Sequence, residues 1–234
     1  AIARRLNDRN IERQEATEDI VEQIADMIEK ENPPLIKGVG GIIKDKIIIA
    51  VTPDEKIWNE GIVGLAAGRI SSKYYLPVLV ITKNDEGYKG SGRSIGEFNI
   101  MEALEECSDL LDKYGGHPMA CGFSLREENL EKFKKKIIKI AGRKLKGINL
   151  APKINIEAEI GLNEVNEEFI TAVERFAPFG QDNNQPKFMS RGVSIVDITT
   201  MGIDGKHIKL RITNDELSRF IKSIFTVRRK VKFL

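Results

Sequence analysis

The chain has 234 residues, 41% of them hydrophobic and 31% charged, with a formal net charge of +2. That balance fits a soluble globular protein with room for one large core or two ordinary ones, and it excludes a disordered or fibrous chain. No apolar run approaches the length that crosses a bilayer, the first ten residues carry no apolar leader, and Cys107 and Cys121 form neither a disulfide framework nor a metal-ligand spacing. The expected compartment is the cytoplasm.

Residues 1–31 hold five basic and nine acidic side chains. Within them Ile20, Ile24 and Ile28 recur every fourth residue beside Val21 and Met27. Ile11 to Lys30 is therefore expected to be an acidic helix with one apolar stripe, stopped by Pro33-Pro34. Gly38 to Thr52 sets Ile42-Ile43 and Ile47 to Val51 either side of Lys44-Asp45-Lys46, which predicts two β runs around a tight polar turn. Trp58 to Tyr74 has helical spacing and many small residues. Pro77 to Thr82 and Tyr88 to Ser94 read as strands, Met101 to Tyr114 as a helix, and Ala120 to Leu125 as extended. Leu130 to Leu145 is again helical, through Leu130, Phe133, Ile137, Ile140 and Ala141. Strands alternating with helices predict an α/β domain over residues 33–148, preceded by a connector helix over 1–32.

The pattern changes after Gly147. Ile154 to Ile160 alternates as a strand and Asn166 to Phe176 predicts a short helix. Lys187 to Met201, His207 to Thr213 and Arg219 to Phe225 read as strands. Residues 149–234 thus form a β-rich unit with one helix, compatible with an OB-type barrel. Closure takes five strands and the chain ends soon after its last candidate, so the barrel is expected to be incomplete.

Charge is distributed unevenly. Leu130 to Gly147 carries Lys132, Lys134, Lys135, Lys136, Lys139, Arg143, Lys144 and Lys146 against Glu131, and residues 219–234 hold six basic and no acidic side chains. Basic patches suit a polyanion, and a solvated helix face with a ragged terminus accounts for them equally well.

Two short stretches carry chemistry. In Tyr114-Gly115-Gly116-His117-Pro118, the paired glycines let backbone amides approach an anion, and the histidine can donate to a phosphate oxygen or shuttle a proton. Taken alone, a turn that happens to carry a histidine is the simpler reading. In Lys89-Gly90-Ser91-Gly92-Arg93-Ser94, the arginine offers a planar fork that matches phosphate, and the hydroxyls of Ser91 and Ser94 add donors. A β-bulge with an exposed arginine explains that stretch as well. Ahead of both stands Trp58-Asn59-Glu60-Gly61-Ile62-Val63-Gly64-Leu65-Ala66-Ala67-Gly68-Arg69, where glycine and alanine are expected to permit close helix packing rather than to touch a ligand.

In order and spacing the three stretches resemble the DHH-associated domain that follows the DHH phosphoesterase domain in RecJ proteins: a W-x-x-G-[IV]-[IV]-G helix, then GSGRS, then GGHxxAxGF. Leu6-Asn7, Asn10 and Arg13-Gln14 resemble the RecJ helix that ties the two domains together. Ala177-Pro178-Phe179-Gly180, with Asn183, Pro186 and Phe188, resembles the segment that opens the RecJ OB domain. Asp182 stands where that family has glycine and Asn184 where it has proline. Gly205, Lys206 and His207 fit a further strand of the OB domain, with His207 in a structural role.

The resemblance implies the substrate-binding portion of a 5′-to-3′ single-stranded-DNA exonuclease acting in DNA repair and recombination. It implies Ser91, Gly92, Arg93, Ser94, Gly115 and Gly116 as substrate-binding residues and His117 as the catalytic residue facing the scissile phosphate. The partner implied is single-stranded DNA, not a membrane; single-strand-binding protein or helicase partners are left open. The family's Mn²⁺ or Mg²⁺ centre needs an Asp-His-His run. The chain has two histidines, His117 and His207, and no Asp-His pair. The catalytic domain is therefore expected upstream, with no metal bound by this portion and no activity from it alone. Three alternatives stand beside this reading: a short-oligonucleotide phosphoesterase of the same superfamily, a non-catalytic RNA-binding module like the end of alanyl-tRNA synthetase, and an inactive replication scaffold.

Overall fold

The computed structural model describes residues 2–31, 43–44, 46–180, 182–201, 207–214 and 221–225. The expected strand start at Gly38 to Ile42, the Gly205-Lys206 pair, the side chain of His207 and the basic side chains of residues 219–234 lie outside them. The chain divides into two compact units, Ala1–Pro152 and Lys153–Leu234.

The first unit opens with α1 (Ile2–Glu31). The helix starts nine residues before Ile11, the expected first residue, because no Gly or Pro interrupts residues 2–10 and helix propensity carries the polar turns. Those first turns are exposed. Only the later turns bury a stripe, through Ile20, Ile24 and Ile28. Next come β1 (Ile43–Lys44) and β2 (Ile47–Val51), paired antiparallel around the expected turn, with Lys46 in a left-handed conformation at φ 73°. Then α2 (Val63–Tyr74) leads to β3 (Val78–Asn84), β4 (Gly87–Arg93), α3 (Ile100–Glu105), β5 (Lys113–His117), β6 (Ala120–Leu125) and α4 (Leu130–Lys144).

These strands make one six-stranded sheet in the order β1-β2-β3-β4-β6-β5. Only β2 and β3 run parallel, because α2 crosses over between them, and the other neighbours are antiparallel. Alternation along β2 and β3 splits the apolar side chains into two cores. On one face Ile48, Ala50, Val78 and Val80 pack under Ala66, Ala67 and Ile70 of α2 and under the isoleucines of α1. On the other, Ile47, Ile49, Leu79 and Ile81 pack with Phe123, Phe133 and Ile137, the last two from α4. Each such side chain contributes about 1.5–3 kcal/mol when fully buried. The sheet is thus anchored from both sides.

In this unit two expected stretches change in kind. The helix over Met101 to Tyr114 stops at Glu105, continues as a 3-10 turn over Ser108–Leu110, and gives way to β5. Leu104, Cys107 and Leu110 mimic a helical period, but their backbone turns to deliver the next strand to the sheet edge. The Gly115-Gly116-His117 stretch is likewise not a loop. It is part of β5, the edge strand, held extended by its pairing with β6.

In the second unit β7 (Ala158–Glu159) pairs with β8 (Phe188–Met189), and α5 (Glu167–Glu174) is capped by Asn166, whose side chain accepts from the Phe169 amide at 2.8 Å. β9 (Val193–Met201), β10 (His207–Asn214) and β11 (Ile221–Phe225) form an antiparallel three-stranded sheet. Among the described residues these sheets do not close, which makes an incomplete barrel. Asp182 sits at φ 63°, a left-handed conformation that glycine takes without cost and aspartate tolerates. The Asn183 amide donates at 2.9 Å to the carbonyls of both Phe176 and Pro178 and so fixes this turn.

Candidate nucleic-acid interface

β4 carries the GSGRS stretch, and its alternation sorts those residues onto two faces. Gly90 and Gly92 face the α4 side, where a Cβ on Gly90 would lie 2.1 Å from the Phe123 ring and one on Gly92 2.5 Å from the Cys121 sulfur. Their missing side chains make room for the core. Ser94 faces the same way, is buried, and its hydroxyl donates to the Phe98 carbonyl at 2.5 Å. Gly92 and Ser94 therefore support the site from beneath rather than line it. Pairing of β4 with β6 is continuous from Tyr88 to Arg93, so no bulge presents the arginine.

Lys89, Ser91 and Arg93 face the α2 side. The register extends them into three rows, since residues opposed in an antiparallel sheet share a face. Arg93 pairs with Ala120 and Ala120 with His117; Ser91 pairs with Gly122 and Gly122 with Gly115; Lys89 pairs with Ser124 and Ser124 with Lys113. Arg93 and His117 thus lie two strands apart, about 10 Å at the usual strand spacing. Between them and the lysine row lies a floor without side chains. Gly115 and Gly122 are both exposed, and a Cβ on Gly115 would meet nothing within 4 Å. α2 bounds this shelf at the Ser91 end, where a Cβ on Gly64 would come 2.9 Å from the Ser91 hydroxyl and 3.2 Å from Nη2 of Arg93. The packing reading of that glycine holds.

Each side chain is positioned from its own strand. Nη1 of Arg93 donates to the Gly92 carbonyl at 2.8 Å and to the Ser91 hydroxyl at 3.4 Å. Nε and Nη2 have no acceptor, and the guanidinium no carboxylate partner, among the described residues. Three N–H bonds are left to offer an anion. The exposed His117 stands at the end of β5, just after Gly116, where a φ of 145° and a Cβ that would lie 2.3 Å from the Ala120 carbonyl oxygen admit only glycine. The hairpin tip that follows is pinned twice. The Ser94 amide donates to the Met119 carbonyl and the Ile100 amide to the Pro118 carbonyl, both at 3.0 Å. One backbone bond therefore ties the two motifs together.

The electrostatics favour an anion. Lys113 is exposed and has no acidic partner among the described residues. Lys89 is bound at 2.8 Å to Glu60, whose carboxyl is held below its ordinary range by Lys89 first and then by Asn84. The shelf itself offers cationic donors, while the Ser91 hydroxyl donates to the Cys121 carbonyl at 3.3 Å. No group of three or more His, Cys, Asp or Glu side chains converges to hold a metal ion among the described residues. Thiol chemistry is equally remote, because burial pushes Cys107 and Cys121 up to about 12. Among the described residues no helix is long and apolar enough to cross a membrane.

The DHHA1 domain family matches residues 44–143 and the RecJ OB domain family matches residues 156–231. The single-stranded-DNA-specific exonuclease RecJ of Bacillus subtilis is 28% identical over 92% of this chain, which spans 26% of that protein. The chain is similar to RecJ over most of its length. RecJ of Haemophilus influenzae is 30% identical over 65% of the chain and 27% of its own length. The chain thus spans about a quarter of the curated relatives it matches. A crystal structure of RecJ from Thermus thermophilus in complex with Mn²⁺ superposes with a TM-score of 0.73 over 98% of this chain and 31% of that one, at 20% identity, so the fold is shared.

Of the residues singled out in the RecJ motifs, the fold gathers Ser91, Arg93, Gly115 and His117 on one face. Gly116 shapes the strand, and Gly92 and Ser94 lie behind it. Lys113 and Gly122 join the shelf without having been singled out. The signal for Gly122 was present in the GGHxxAxGF spacing; none marked Lys113, whose place follows from register alone.

Proposed function

We propose that this chain is the substrate-gripping portion of a metal-dependent 5′-to-3′ exonuclease for single-stranded DNA, active in repair and recombination. One observation carries the reading: Arg93 and His117 share a row, through Ala120, beside a side-chain-free floor. A sugar-phosphate backbone can lie against bare glycine strands where it could not lie against side chains. Arg93 would take two non-bridging phosphate oxygens with its free N–H groups, and Ser91 would add a hydroxyl by turning it from the Cys121 carbonyl. Lys113 would neutralise a neighbouring phosphate across the floor. His117 would face the scissile phosphate and donate to an oxygen on which charge develops. The OB unit would guide the incoming strand.

The names of the curated relatives and the Mn²⁺ and Mg²⁺ complexes of Thermus thermophilus RecJ support this reading. Such a metal centre supplies a hydroxide and charge stabilisation. The described residues do not fit one, so it would belong to the rest of the intact protein.

The test is steady-state degradation of a single-stranded oligonucleotide by the intact enzyme carrying His117→Ala. A kcat reduced at least about 100-fold, with KM little changed, is the outcome expected of a group acting on the transition state. Unchanged kcat would remove His117 from the chemistry.

A further inference from the structure

The sheet face opposite the shelf is covered by α4, and the cations of this helix sort into two sets. Lys134, Lys136, Arg143 and Lys144 are each paired with a carboxylate, on Glu131, Asp109, Glu106 and Glu102 respectively. Lys132, Lys135, Lys139 and Lys146 are exposed and have no acidic partner among the described residues. Sequence spacing aligns this second set. Lys132 and Lys139 are one heptad apart, which offsets them by only about 20° on the helix, and Lys146 follows one heptad later, just past the helix end. Lys135 lies beside that line. Of the paired set, Lys136 and Arg143 form the neighbouring heptad line, so neutralised and bare cations stand side by side.

The surroundings of the bare row narrow what it fits. No exposed large hydrophobic side chain lies between Lys132 and Lys146. A protein partner would want apolar anchors there, and unpaired bases would want aromatic platforms. A phosphate backbone needs only cations. Lys132 to Lys139 spans about 10 Å of helix axis. Over that length duplex presents about six phosphates, and a single strand about three.

We infer that the Lys132, Lys135, Lys139 and Lys146 row is a second nucleic-acid contact, which takes the phosphate backbone of a duplex. It lies across the sheet from Arg93 and does not depend on the shelf's role. A partly double-stranded substrate would be held by its duplex flank on α4 while its single strand is gripped elsewhere.

The test measures binding of a 20-base-pair DNA duplex (probe length about two helical turns), and of one of its strands, by fluorescence anisotropy across a salt series. The protein is the chain and its K132Q/K135Q/K139Q/K146Q variant. The variant should lose at least about tenfold in duplex affinity near 0.1 M salt, and its log–log salt slope should flatten by roughly 2–4. Single-strand affinity should change less than about threefold. The double variants K132Q/K139Q and K134Q/K136Q carry the same charge change, and only the first should weaken duplex binding clearly. Unchanged duplex binding would overturn the inference, as would equal losses on both probes, equal effects of the two double variants, or competition by poly-glutamate as strong as by duplex. Arg93→Ala, by contrast, should spare duplex binding, so failure of this contact and failure of the shelf are told apart.

Discussion

Arg93 on β4 and His117 on β5 are both register partners of Ala120, so a guanidinium and an imidazole emerge on the same side of the sheet, two strands apart. The backbone bond from Ser94 to Met119 holds the hairpin of one against the strand of the other. Neither side chain depends on a loop for its position.

Arg93→Ala in the intact enzyme should lower kcat/KM by about 2–4 kcal/mol, the range of a lost charged phosphate contact. Lysine should restore only part of this, because a point charge cannot reproduce a planar fork. Wild-type kinetics in the alanine variant would assign Arg93 to packing under α2.

Two glycines should fail in different ways. Gly116→Ala should destabilise the first unit by about 1–3 kcal/mol, since its left-handed backbone resists any side chain and the obstructing atom is a main-chain carbonyl. Gly64→Ala meets only the movable ends of Ser91 and Arg93. It should cost little stability and instead weaken single-strand binding by displacing those ends. Urea unfolding and oligonucleotide titration of both variants separate the effects; the reverse assignment would contradict the packing described.

Burial raises Cys107 and Cys121 from an ordinary 9.0 to about 12. The sign follows from linkage: between these values the unfolded chain has released protons that the folded chain retains, so stability falls as pH rises from about 9 towards 12. Both thiols should resist a disulfide reagent at pH 8 and react fully in denaturant. Rapid labelling of the native chain would refute their burial.

The chain by itself should release no nucleotides from single-stranded DNA with Mn²⁺ or Mg²⁺. Activity in rigorously purified chain, proportional to its concentration and abolished by a chelator, would require a metal site that the described residues do not provide.

Most elements were legible from local pattern. α4 announces itself by Phe133, Ile137 and Ile140, and β3 by its run of buried aliphatics. β5 was not, because two glycines in five residues depress strand propensity and an edge strand owes its form to its neighbour. The start of α2 was set five residues too early for a similar reason. Trp58 fits the helical period but is drawn into the core, with its indole donating to Gln23 at 3.1 Å. At the site, the motifs fall on strands of one sheet, and their glycines divide between its two faces. Gly90 and Gly92 look like backbone donors for phosphate and instead make room for Phe123 and Cys121. Which residues share a row is a matter of register between distant segments, so Lys113 could not be found from spacing.

The central claim is that the Arg93 and His117 row grips the backbone of a single strand. It is tested most directly by the salt dependence of single-stranded oligonucleotide binding to the chain and to its R93A/H117A variant. Affinity should fall linearly on a log–log plot, with a slope of about −0.7 for each phosphate neutralised. The variant should bind at least about tenfold more weakly, with a slope shallower by about 0.7 or more, as expected when one phosphate contact is lost. Equal affinity and equal slope in the two proteins would contradict the account, leaving the row a feature of the fold alone.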